Sequence, residues 1–196
     1  GKAIHLLSIA AKRSVTEWQN SEKEKDTKKV LQKKKKYEKF PEWECQQASI
    51  CEVLIEKIHE LGGLSVYCHP YWKLLGGQGH FNATPLLNKI IFENIEFDAL
   101  EFAFQGNYQT PLMNASYLEL AEKGFKKPLI GVSDFHGHIE EDKITGAYSI
   151  VLAEECEEEK LCEAIKKNNC CAITAKESLF PFGEYRMVKY VLFLLK

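Results

Sequence analysis

Much that would place this chain at a glance is missing from it. It holds seven cysteines in 196 residues but no C-x-x-C pair. Cys45 and Cys51 lie six apart and Cys170-Cys171 are adjacent. That irregular spacing excludes a disulfide scaffold and leaves buried thiols in a reducing, cytoplasmic setting as the expectation. No apolar run reaches the roughly 20 residues that cross a bilayer, and Val191-Leu192-Phe193-Leu194-Leu195 is too short, so no membrane contact is expected. No excess of charge of one sign is present, because the formal net charge is -2, and bulk charge does not argue for a polyanionic partner. Gly76-Gly77-Gln78-Gly79 has no Lys-Ser/Thr after it, which argues against a phosphate-cradling loop, and Ser133 has no G-x-S-x-G setting. A basic-apolar leader and an initiating Met are also missing. Gly1-Lys2-Ala3 runs straight into Ile4-His5-Leu6-Leu7-Ser8-Ile9, as though the chain opened inside a strand system, and a fragment is expected.

What is present is enough apolar material for a core. Hydrophobic residues make up 45% and charged residues 28%, the balance of a globular domain. Residues 3–10 read as a buried strand carrying one histidine. Residues 45–61 read as a helix with Ile50, Val53, Leu54, Ile58 and Leu61 on one stripe, stopped by Gly62-Gly63. Leu64 to Cys68 reads as a strand ending in His69-Pro70. Residues 84–94 read as a helix entered through Thr84 as N-cap and Pro85 at the first helical position. Strands over 97–103, 128–132, 147–152 and 171–174 alternate with helices over 112–123 and 157–168. Alternation at this spacing predicts crossover connections and a largely parallel sheet.

One stretch differs in composition. Glu22 to Lys39 holds nine lysines and four acids, with few apolar residues. An exposed helix and a mobile insertion both fit it. A solvated face is the favoured reading, because acids flank the lysines, and a nucleic-acid backbone contact is the less favoured one.

The polar residues fall at telling places. His69 follows one strand and Asp134 and His136 follow another, while Glu101 sits near the end of the strand between them. In parallel α/β folds, ligands bind at the carboxyl ends of strands. Residues two apart in an extended segment point the same way. Asp134 and His136 therefore offer an oxygen and a nitrogen on one side, a donor set that suits zinc, manganese or iron. Flanking Gly131 and Gly137 let the backbone approach a ligand closely. His5, within the first strand, adds a third histidine directed to the same face.

These residues resemble the PHP (polymerase and histidinol phosphatase) superfamily of metal-dependent phosphoesterases. Gly62-Gly63-Leu64-Ser65-Val66-Tyr67-Cys68-His69-Pro70 resembles that family's strand ending in histidine-proline. Leu129-Ile130-Gly131-Val132-Ser133-Asp134-Phe135-His136-Gly137 resembles its final Ser-Asp-x-His motif, and Asp98-Ala99-Leu100-Glu101 resembles the strand between them. Ala3-Ile4-His5-Leu6-Leu7 resembles a ligand-bearing strand of many members. The resemblance implies a distorted (β/α)7 barrel, here without its N-terminal strands. Residues 1–175 would be the C-terminal portion of the domain, with a lysine-rich insertion at about 14–42, and 176–196 an extension. It implies divalent metal ions (Zn, Mn or Fe) held by His5, His69, Asp134 and His136. It also implies hydrolysis of a small phosphorylated substrate at Asp134 and His136, with Glu101 as a substrate-facing or ligand-supporting residue. The family's opening His-x-His has no counterpart upstream of His69. A non-catalytic binding or regulatory module is therefore the alternative, and self-association is expected of a barrel that lacks strands.

Overall fold

The computed structural model describes residues 4–15, 23–71, 83–103, 109–133, 147–174 and 180–194. Among them the strands are β1 (His5–Ile9), β2 (Leu64–Cys68), β3 (Ala99–Ala103), β4 (Leu129–Gly131), β5 (Ala147–Val151), β6 (Cys170–Thr174) and β7 (Phe180–Gly183). The helices are α1 (Lys23–Tyr37), α2 (Glu42–Glu60), α3 (Pro85–Asn94), α4 (Gln109–Glu122), α5 (Glu158–Lys166) and α6 (Tyr185–Leu194). The strands form one sheet in the order β1-β2-β3-β4 and another in the order β5-β6-β7. The fold is mixed α/β, and the described strands make two open sheets with no closed barrel among them. No described helix is long and apolar enough to cross a membrane. The chain divides into two compact units, Gly1–Val66 with Pro70–Phe97 and Tyr67–His69 with Asp98–Lys196.

In the first unit, α2 ends as its glycines dictate. Gly62 takes φ +77°, its N–H donates to the His59 carbonyl at 2.9 Å, and the Gly63 N–H donates to the Ile58 carbonyl at 2.8 Å. That double bond pattern is the glycine-terminated Schellman turn. The buried face of α2 is broader than the expected stripe. Cys45, Ala48, Cys51, Val53, Ile55 and Ile58 are buried, whereas Ile50, Leu54 and Leu61 are only half-buried. Neighbours on two flanks cause the widening. Tyr37 of α1 seals one side, and Thr84, at the start of α3, donates to Glu44 at 3.0 Å on the other. Thr84 Oγ1 also accepts the Leu87 N–H at 3.0 Å, and Pro85 opens the helix, as the sequence predicts. β1 is half-buried and His5 is exposed, where a buried strand was expected. Among the described strands it stands at the end of its sheet, with a neighbour on one side only.

The lysine-rich stretch contains a true helix, α1, and α2 supplies its counter-charges. Lys33 meets Glu52 at 2.9 Å and also Glu56, Lys36 meets Glu52 at 3.0 Å, and Lys29 meets Glu60 at 3.1 Å. Ion pairs with this much solvent contact contribute ~0–1 kcal/mol each. Complete burial of the Tyr37 ring contributes more, about 2 kcal/mol, and anchors the helix. The Tyr37 hydroxyl donates to Glu52 at 2.6 Å. Burial pushes the Glu52 carboxyl up, but hydrogen bonds from Tyr37, Lys33 and Lys36 outweigh it and hold the group below its ordinary value. A depressed carboxylate stabilises the fold above the unfolded value and loses that contribution as pH falls through the folded one. Glu52→Gln should therefore reduce unfolding free energy at pH 7 by about 1–2 kcal/mol. The deficit should shrink towards zero as pH falls below about 4.3. Denaturant titrations across that range would reveal it, and a deficit independent of pH would contradict the assignment.

In the second unit, β3 and β4 pair in parallel with Leu100 opposite Leu129 and Glu101 opposite Ile130. The expectation of a largely parallel sheet fails beyond them. β5, β6 and β7 are mutually antiparallel, with Val151 opposite Cys170 and Cys171 opposite Gly183. The reason lies in the β5–α5–β6 connection. The Leu152 N–H donates to the Asn169 carbonyl at 2.9 Å, so the excursion leaves and re-enters at the same end of the sheet. A helix inserted into a hairpin gives antiparallel strands, whereas a crossover would give parallel ones. Asn168, at φ +62°, ends α5 and turns the chain directly into β6. β7 pairs with β6, and α6 buries Met187 and Val191 against Cys171 and Ile173.

Candidate metal centre

β2 is a run of five buried residues, mostly apolar, as suits a strand covered on both faces. It delivers His69 at its carboxyl end. There the backbone turns left-handed, with φ +27° at His69. For a residue with a Cβ this conformation costs about 1–3 kcal/mol and persists only where the surroundings impose it. β3 supplies what imposes it. Glu101 is 2% exposed, and its Oε2 accepts from both the His69 backbone N–H, at 2.6 Å, and the His69 ring Nδ1, at 2.7 Å. One carboxylate oxygen thus fixes the turn and the ring together.

The chemistry of that pair is specific. A carboxylate only accepts hydrogen bonds, so Nδ1 donates to Glu101, and in the neutral ring Nε2 carries the lone pair. A neutral imidazole with Nδ1–H held by a carboxylate is the usual state of a metal-ligating histidine, because the partner fixes the tautomer and raises the basicity of Nε2. Replacing water around two buried polar groups would be costly without such pairing. His69 therefore offers one nitrogen of the kind that ligates a divalent ion.

The other expected site residues are placed as follows. His5 opens β1 with an exposed side chain and belongs to the first unit, whereas His69 and Glu101 belong to the second. Asp134 and His136 lie outside the described residues, as does Gly76 to Gly79. Among the described residues no group of three or more His, Cys, Asp or Glu side chains is arranged to hold a metal ion. Among the described residues the structure brings together His69 and Glu101. His59, off the apolar stripe of α2, is exposed and meets Ser65 Oγ at 3.1 Å.

Gly131 has a different reason from the one the motif suggested. A Cβ there would lie 2.3 Å from the Tyr148 carbonyl oxygen, so β5, not a ligand, demands the glycine. Ser149 Oγ ties the two strands by accepting the Gly131 N–H at 2.9 Å and meeting its carbonyl at 3.1 Å. This fixes the end of β4, from which the chain proceeds to Asp134.

Sequence reasoning passed over Asn88. It is 2% exposed on α3, and its Nδ2 donates to the Pro70 carbonyl at 2.8 Å, one residue after His69. A signal was available: Asn88 interrupts the apolar series Leu86, Leu87, Ile90 and Ile91, and a polar residue on a buried helix face implies a fixed partner. The thiols are mostly shut away from solvent. Six of the seven cysteines are buried and Cys156 is exposed. Burial pushes Cys170 up to about 12 and Cys171 up to about 11, far from thiolate reactivity.

No family model matches the chain, and no curated protein matches its sequence. Among solved structures it is similar to a two-domain protein containing a predicted PHP-like metal-dependent phosphoesterase from Bacteroides vulgatus ATCC 8482. The identity is 18% and the TM-score 0.50. The match covers 70% of this chain and 38% of that one, so the chain spans well under half the length of the protein it resembles. At this identity the likeness concerns the fold.

Proposed function

We propose that this chain carries part of the active site of a metal-dependent hydrolase of phosphate esters, acting on a small phosphorylated substrate. The observation that carries the reading is the buried contact of His69 Nδ1 with Glu101 Oε2 at 2.7 Å, which presents Nε2 as a ligand nitrogen. The likeness to a protein containing a predicted PHP-like phosphoesterase supports it. His69, Asp134 and His136 would hold zinc, manganese or iron, with His5 as a fourth ligand. The two sheets would belong to a distorted (β/α)7 barrel. When bound, a divalent ion offsets phosphoryl charge and acidifies water for attack at phosphorus. The chain's own part is to hold His69 in one tautomer through Glu101 and to supply an anionic oxygen at Asp134.

Elemental analysis of protein purified without chelator, with a chromogenic phosphate monoester as substrate, tests the reading. Retained first-row metal and chelator-sensitive hydrolysis are expected. Asp134→Asn keeps the shape but removes the anion. It should lose metal and lower turnover by more than the ~10–100-fold that follows removal of a ligand-orienting partner. Unchanged turnover at full metal occupancy would overturn the assignment. Retained metal without any turnover would favour a binding module instead.

A further inference from the structure

We infer that the outer face of α1 is a docking surface for the phosphate backbone of a nucleic acid. The inference is independent of the metal-ligand reading of His69 and lies wholly within the first unit. The structure sorts the lysines of this stretch into two sets. Lys29, Lys33, Lys34 and Lys36 turn to α2, where Glu60, Glu52, Glu56 and Glu42 meet them. Thr84 holds Glu44, so each acid of α2 is engaged. The second set has no such counter-charge. Lys28, Gln32 and Lys35 recur at intervals of four and three, so they share the side of α1 opposite buried Tyr37, and Lys39 follows just past the helix end. All four are exposed. Lys28 and Lys35 form no ion pair among the described residues, and Lys39 lies over the Phe40 ring at 5.0 Å. At the other end of α1, the Lys12 N–H donates to the Leu61 carbonyl at 3.0 Å, which sets exposed Lys12 and Arg13 beside the end of α2 where Glu60 takes Lys29. Glu38 offsets one of these charges. The net charge of -2 thus hides a surface on which cations outnumber acids. Charge complementarity calls for a polyanion, and the rest of the face selects which. A protein partner needs aromatic or apolar anchors to bury, and this face offers Leu31 at 58% exposure while Tyr37 is wholly buried. Phe40 is half-buried beside Lys39, so no described ring stands out from the face to stack a base. Lysine, a flexible point charge, meets phosphate without reading sequence. Lys28 and Lys35 lie about 10 Å apart along the helix axis, about three backbone steps of one strand.

Fluorescence anisotropy of a labelled mixed-sequence DNA duplex, titrated with the protein over a range of salt concentrations, tests it. A chelator is kept present so that no metal-bound phosphate contributes. Each phosphate contact adds about 0.9 to the slope of log affinity against log salt, so a slope of about -3 or steeper is expected. The double variant Lys28→Gln, Lys35→Gln should make the slope shallower by about two and weaken binding equally for AT-rich and GC-rich duplexes. Lys123→Gln with Lys160→Gln removes the same charge from helices of the second unit and should leave the slope unchanged. All four side chains stand at the surface, so each variant is expected to fold. No binding of the duplex at 50 mM salt overturns the inference. So does an equal fall in slope for both double variants, which would mean that bulk charge alone is read. Polyglutamate that displaces the duplex as well as unlabelled duplex does, at equal charge concentration, overturns it in favour of an acidic protein partner.

Discussion

Gly131→Ala is expected to be the most damaging glycine-to-alanine change among the described residues. The added Cβ would stand 2.3, 2.7 and 2.9 Å from the oxygen, carbonyl carbon and nitrogen of Tyr148. All three are backbone atoms, so no rotamer change relieves the clash. β4 and β5 must part, and parting them breaks both contacts of Ser149 Oγ with the Gly131 backbone. Overpacking a tight site costs about 1–3 kcal/mol, and loss of the paired hydrogen bonds adds about 1–2 more. The sum is a large part of the ~5–15 kcal/mol that holds a typical protein folded. For a chain of this size each kcal/mol moves the melting point by about 2–4 °C, so a fall of about 10 °C is expected. If Asp134 ligates the metal as proposed, metal content should fall too, because Asp134 follows β4 in the chain. A melting point within about 2 °C of wild type would show that β5 yields easily.

The second large effect is expected at Glu101. Glu101→Leu removes the acceptor from two buried donors, the His69 N–H and Nδ1–H. Each orphaned donor costs about 1–3 kcal/mol, and the left-handed turn loses its clamp. A loss of roughly 3–5 kcal/mol is expected, as for breaking one side of a buried pair. Glu101→Gln is the informative companion. Its amide oxygen can still accept a hydrogen bond, so most stability should remain, but it lacks the charge that makes Nε2 basic. Zinc affinity should fall about 10–100-fold in Glu101→Gln. Chemical denaturation and calorimetric metal titration of the two variants separate support of the turn from support of the ligand. A leucine variant as stable as wild type would refute the clamp.

Much of the local structure was legible because it depends on neighbours in sequence. Thr84-Pro85 marked the start of α3, Gly62 the end of α2, and the segment Leu64 to Cys68 the strand β2. What was not legible depends on distant partners. A strand–helix–strand pattern reads alike whether the helix crosses over or sits in a hairpin, and the Leu152–Asn169 hydrogen bond that decides the matter leaves no local mark. α1 lacks an apolar stripe because its counter-charges lie on another helix, 19 and 23 residues beyond Lys33. Gly131 was read correctly as a place of close backbone approach, but the approaching group is β5. At the candidate site, the strand-end positions of His69 and Glu101 were visible in sequence. Their grip on each other across 32 residues was not, and Asn88 escaped notice because its partner is a backbone carbonyl.

The burial of six cysteines gives the seventh a practical use. Cys156 is exposed in the connection between β5 and α5, while the other thiols are shut away from solvent and the buried Cys51, Cys170 and Cys171 are held protonated. A maleimide or nitroxide reagent at neutral pH should therefore attach at one position without any engineered background. The label would stand inside the excursion that the Leu152–Asn169 hydrogen bond closes. Its rotational mobility would report, in the unmodified sequence, whether that closure opens before the sheet around it does.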